Sequence, residues 1–378
     1  MTIKNKSLLT FIIVMVMMVG LFLINTLKIE ATVNYGLEQS QVLDDPNVVI
    51  RGTDTGGNND TANAEALLEA ATTSSSASWK NATNYYIVYP DAASAGSLQD
   101  GDTTSVTYEG VTVDAIVIIG NDFKAGSLVS AAKADTTIFL KSGNYVNLSK
   151  NAKGAFQLNF SNLSVIGVDG PGTVTIHSEK SGTLNWSIGI GGTNVLLQNL
   201  IFDGDNAGMA NQSNSSGYYF LKILQNATNI TFDNVTVQNI PSSGSGFYNV
   251  AINVIYAKNV LFNNVSLINL ASKTGYSVIQ VNNSSRAVYF NNLSLDNVKS
   301  GNSASGGSNY PFIKIEDGST VTSELNQVSV YFTGDLTFAN MDDQYKKIWI
   351  QNYKYDTVAF PSDVYRYAQL RNQNGSWT

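Results

Sequence analysis

The sequence predicts an all-β chain wound into a right-handed parallel β-helix, a solenoid, and three observations carry that prediction. One sentence is written four times: TNVLLQNLIFDG at 193–204, TNITFDNVTVQNI at 228–240, KNVLFNNVSLINL at 258–270 and RAVYFNNLSLDNV at 286–298. Aligned, the copies put Asn199, Asn234, Asn264 and Asn292 in one column, at steps of 35, 30 and 28 residues. Self-similarity at a period of about 20–50 residues is the mark of a stacked array. Each copy also follows a further strand-like run (SIGIGG, YFLKIL, VAINVI, SVIQVN), and PFIKIE at 311–316 opens a fifth. A coil of three short strands, apolar on one side, buries that side only by stacking on its neighbours about 4.8 Å away.

The elements follow in chain order. Residues 1–31 pair a basic start, MTIKNK, with an apolar run and small Ala31, the pattern of a signal peptide or, uncleaved, an N-terminal membrane anchor. Membrane association is expected only through residues 7–27, and the rest is expected to be secreted or held at the cell surface or wall. Residues 32–126 form an N-terminal β-rich or irregular region, with a helix candidate at 62–72 and strands in YYIVYP and VTVDAIVIIG. A short N-terminal capping helix is expected from 127, then the β-helix proper over 127–335. Residues 336–378 read as further coils or a C-terminal cap.

The asparagines belong to this scheme. Asn tolerates the left-handed backbone of a tight turn, and stacked amides can bond to one another as a ladder. The ladder is expected at Asn199, Asn234, Asn264 and Asn292, with Gln327 continuing it and a second column at Asn239, Asn269 and Asn297. The varying step lengths fall in Gly/Ser loops such as PSSGSG and KSGNSASGGSN.

Composition excludes several functions. The chain has 378 residues, a net charge of -7 and charged residues at only 13%, so no basic stripe exists to displace counterions from nucleic acid. It has no cysteine, which excludes thiolate metal sites and Cys nucleophiles. His177 is the single histidine and sits in a strand-like run, TVTIHS, so no multi-His metal site is available.

Two stretches resemble the pectate-lyase-like β-helix superfamily. SLVSAAKADTTIFLKSGNY at 127–145 is similar to its opening helix, strand and turn, and NVLFNNVSL at 259–267 to its strand, Asn-turn, strand signature. Within it the chain looks most like the pectate-lyase-like adhesive domains of Gram-positive bacterial surface proteins. The resemblance implies, for enzymes of the superfamily, a carboxylate cluster and an Arg or Lys base on the outer face of the first sheet. In IGI, LKI, INV, IQV and IKI the flanking apolar residues point inward, so Gly189, Lys222, Asn253, Gln280 and Lys314 point outward in one row. That row holds neither acid nor Arg. Asp203 and Asp205 in FDGDN are a close acidic pair with oxygens suited to calcium, a weak candidate for the sole cofactor; otherwise none is expected. Lys222, Asn253, Gln280 and Lys314 are therefore expected to face a ligand, with Tyr218, Tyr219, Tyr248, Tyr276 and Tyr310 near the coil corners. No catalytic residue is assigned. The expectation is a non-enzymatic, adhesin-like chain binding a glycan or an extracellular-matrix or host surface. A secreted polysaccharide lyase or hydrolase with a diverged site and a structural wall spacer are the alternatives.

Overall fold

The structure, a computed structural model, describes residues 79–121, 133–147, 156–178, 186–204, 219–240, 250–272, 276–282, 285–301, 310–316, 328, 330–351, 358–359 and 368–371. The leader at 1–31, the helix candidate at 62–72, the capping helix expected from 127, and Asp205, Tyr218, Tyr248 and Gln327 lie outside the described residues.

The chain is a parallel β-helix. Its smaller sheet stacks 8 strands in chain order: Phe156–Leu158, Trp186–Ile190, Tyr219–Ile223, Val250–Ile255, Ile279–Asn282, Ile313–Glu316, Ile348–Gln351 and Ala368–Arg371. The other sheet has 15 strands and wraps the remaining two sides. It does so because Lys258–Leu270, 13 residues long, runs unbroken through a corner where earlier coils divide, as Thr228–Asp233 and Thr236–Ile240 do. Coils continue beyond residue 335 in both sheets, through Val358–Ala359 and Ala368–Arg371.

Alternation of side chains fills the lumen. Phe232, Phe262, Phe290 and Phe332 are equivalent residues of successive coils, and their rings stack at centroid distances of 4.8, 4.9 and 5.1 Å. That is the inter-strand spacing itself, so the aromatic column is set by backbone register.

The corners are built from asparagine, in three columns. Asn199, Asn234, Asn264 and Asn292 all take φ between 52 and 58°. The expected ladder of amides is, however, interrupted there: Asn292 Nδ2 donates to Asn264 Oδ1 at 2.9 Å, while Asn199 Nδ2 donates instead to the Tyr108 hydroxyl and the Gly167 carbonyl. The turn next to Asn292 in the following coil is held by Gly334 (φ 66°), where a Cβ would lie 2.2 Å from Asn292 Oδ1. An unbroken ladder stands at another corner. Asn162, Asn194, Asn229 and Asn259 each donate to the residue one coil earlier, beginning at Asp135, over 2.6, 2.8, 2.8 and 2.9 Å. It stops at the next coil, where Ala287 holds the same left-handed turn (φ 54°) without an amide. The third column is Asn239, Asn269 and Asn297.

Residues 79–119 join the larger sheet directly. Asn84–Tyr89 pairs in parallel with Thr136–Leu140, and Thr103–Tyr108 forms an antiparallel hairpin with Val111–Ile119. A second apolar cluster results, in which Trp79, Val106 and Val117 cover the outward residues Phe139, Ile166 and Leu196. One of the two sides of the larger sheet is thereby covered in the early coils.

Candidate functional site on the outer face of the smaller sheet

Strand register sets the site. Gly189, Lys222, Asn253, Gln280 and Lys314 are consecutive Cα partners across five parallel strands, and Trp349 and Gln369 extend the line. Parallel strands without bulges keep equivalent side chains on one face, so this row follows from the apolar flanks of IGI, LKI, INV, IQV and IKI. Two flanking rows accompany it. One begins with Trp186, Tyr219 and Val250; the other runs Ile255, Asn282, Glu316 and Gln351.

The row is not the open, solvated surface that its polar letters suggest. Lys222 is half-buried, with Nζ 4.9 Å from the ring centroid of Trp186 and 4.9 Å from that of Tyr219. Trp186 reaches this position because Gly189 has no side chain; a Cβ there would lie 2.5 Å from Trp186 Nε1. Burial lowers the Lys222 pKa from its ordinary value. No carboxylate among the described residues pairs with it. Two aromatic faces take the place of a counter-ion, an interaction worth roughly 2 kcal/mol when desolvated.

Asn253 departs further from expectation. It is fully buried, and neither Oδ1 nor Nδ2 has a hydrogen-bond partner. The next coil repeats the pattern on both sides of the row: Ser277 Oγ and Asn282 Oδ1 are buried and unpartnered. Gln280 between them is half-buried. A buried polar atom left without a partner costs about 1–3 kcal/mol, and native structures keep few of them. Here four such atoms lie on two adjacent coils of one face.

Lys314 differs from Lys222. Its Nζ is 2.7 Å from Glu316 Oε2, in the flanking row. The central row does lack an acid, but reading that row alone overlooked Glu316, which alternation places on the same outer face as Lys314. At this end Tyr310 packs on Trp349 with centroids 5.0 Å apart. Tyr219 and Tyr276 are neighbours at the other end, where burial and then Tyr276 raise the Tyr219 hydroxyl pKa.

The acidic candidate for calcium is a scaffold residue. Asp203 is buried, and its Oδ2 accepts Gln238 Nε2 at 2.8 Å and Asn239 Nδ2 at 3.1 Å. It heads the third asparagine column and does not project into a loop. His177 is its register partner. Among the described residues no three His, Asp or Glu side chains converge as a metal site would require.

No protein-family profile matches the chain, and no curated protein matches it. Two solved structures do. Both are pectin methylesterases in complex with a hexasaccharide, one of them a mutant, each at 12% identity and a TM-score of 0.32, covering 79% of this chain and 92% of theirs. At that similarity the likeness identifies neither a substrate nor site residues. Both are enzymes, however, and the expectation that this chain is not one is withdrawn on that finding.

Proposed function

We propose that the chain is an exported cell-surface β-helix, of the adhesive kind its repeats resemble, that binds a glycan along the outer face of the smaller sheet. The observation that carries the reading is Asn253, buried with both amide atoms unpartnered beside Ser277 and Asn282. Such a site is preorganised: the scaffold bears the desolvation in advance, and a ligand's hydroxyl or amide groups supply the missing hydrogen bonds. A stiff face with aromatic residues at both ends and a few convergent polar groups between is the ordinary make-up of a small-molecule or sugar site. Its coils repeat at about 4.8 Å, close to the length of one sugar unit, which suits a polymer laid along the helix axis. Export rests on the basic and apolar start of the sequence.

The test separates binding from stability. Replacing Asn253 by Leu removes the unsatisfied amide at similar volume, so the variant should melt higher, by the equivalent of about 1–3 kcal/mol, and lose glycan binding on an array probed with the full-length protein. Binding equal to that of the unchanged protein, or no glycan retained by either, would refute the reading.

A further inference from the structure

We infer that the bound glycan carries a single anionic substituent, seated against Lys222, on an otherwise neutral stretch. The inference rests on the glycan reading above and deepens it. It comes from the distribution of charge along the face.

Lys222 is a cation that no carboxylate among the described residues neutralises, held between Trp186 and Tyr219. Lys314 is the other cation of the row, and Glu316 cancels it at 2.7 Å. The side chains between them, Asn253, Ser277, Gln280 and Asn282, are neutral hydrogen-bonding groups. Lys222 and Lys314 stand three coil steps apart, about 14 Å. A glycan with a charge on every sugar would therefore set one anion on Lys222 and further anions against amides and the Glu316 carboxylate. Each of those would be desolvated without a compensating cation, and like charges brought together across an interface are strongly disfavoured. A chain with one anionic group avoids this. Its charge meets Lys222 in a partly dehydrated slot, where a charge-assisted hydrogen bond is strong, and its hydroxyl or acetamido groups supply partners to the buried, unpartnered atoms of Asn253, Ser277 and Asn282.

Calorimetric titration of the full-length protein with three oligosaccharides of one length tests the inference: neutral, singly sulfated, and carboxylated on every residue. The singly charged ligand should bind about tenfold more tightly than the neutral one, one charge-assisted contact's worth, and more tightly than the polyuronate. Lys222→Met keeps the stem in the aromatic slot and should bind the neutral and singly charged ligands alike, whereas Lys222→Arg should restore the difference. If the Met variant does not fold, salt gives the same reading on the unchanged protein: added salt should weaken binding of the singly charged ligand and leave the neutral one unaffected. Equal binding of neutral and singly charged ligands, or tightest binding of the polyuronate, would overturn the inference while leaving the glycan reading intact. Failure of all three to bind, or binding indifferent to Asn253→Leu, would remove the glycan reading and this inference with it.

Discussion

Asn229→Ala is the sharpest probe of what holds the coils in register. Asn229 is a middle rung of the unbroken ladder: its Nδ2 donates to Asn194 Oδ1 at 2.8 Å and its Oδ1 accepts Asn259 Nδ2 at 2.9 Å. It also holds φ at 56°. The substitution therefore removes two hydrogen bonds and puts an ordinary L residue in the left-handed region. Both bonds are reached by solvent, so the orphaned amides can turn to water, and the pair is worth about 1 kcal/mol, the low end for such bonds. The backbone adds about 1–2 kcal/mol for Ala, giving about 2–3 kcal/mol in all. Asn229→Gly separates the two contributions. Glycine loses the same bonds but adopts φ near 56° freely, at an entropic cost of about 0.5–1 kcal/mol, so it should destabilise by about 1.5–2 kcal/mol. Urea unfolding of the full-length protein, followed by far-ultraviolet circular dichroism and tryptophan fluorescence together, gives both values. An Ala variant more stable than the Gly variant, or within about 0.5 kcal/mol of the unchanged protein, would refute the account. Ala287, one coil beyond Asn259, shows that the turn tolerates alanine; the prediction concerns cost and not whether the chain folds.

Gly192→Ala should destabilise by about 1–3 kcal/mol or more, because the new Cβ would lie 2.0 Å from the Phe160 carbonyl oxygen, a backbone atom that cannot rotate away; an unchanged unfolding midpoint would contradict it. Alkaline titration reads the tyrosines: burial first, then the charges of Glu109 and Asp233, push Tyr108 up to about 12, and burial raises Tyr145 and Tyr289 as well. Their folded pKa values exceed that of the unfolded chain, so the stability they confer is complete below pH 10, and the share of Tyr108 is lost as pH rises from 10 through about 12. Tyrosinate absorbance of the folded protein should show a late fraction in that window, and a single step near pH 10 with the fold intact would count against it.

Much of the fold was legible because a solenoid repeats its constraints. Val260, Phe262, Val265 and Leu267 could be assigned to the lumen from sequence, since each has an apolar counterpart in three or more coils and all are buried. The first asparagine ladder was missed although its letters are equally regular. Asn194, Asn229 and Asn259 stand second in their copies, in TNV, TNI and KNV, where they read as strand residues, and only the backbone reveals a turn there. Of the hairpin only Val111–Ile119 reads as a strand, in VTVDAIVIIG, while its partner Thr103–Tyr108 does not, and the hairpin's place over Phe139, Ile166 and Leu196 depends on contacts distant in sequence, which no periodicity encodes.

The site was legible in position and not in state. Alternation gave the row from Gly189 to Lys314, but pattern alone could not say that Lys222 is clamped by Trp186 and Tyr219 or that Asn253 is wholly buried. A signal was nevertheless present. At the corners an asparagine aligns with asparagines above and below, and most of those amides find one another. Asn253 aligns with Lys222 and Gln280, and it pairs with neither, although Gln280 carries an amide of its own. Its side chain is fixed by a strand and both of its amide atoms are left without a partner. Alignment of the coils therefore distinguishes two uses of one residue type. An asparagine whose amide pairs along its column is part of the scaffold, and one left unpaired in a buried row is a group the scaffold leaves for something else to satisfy. By that criterion Asn253 is the residue on which the function of this face turns, and its replacement by leucine should raise stability and remove binding together.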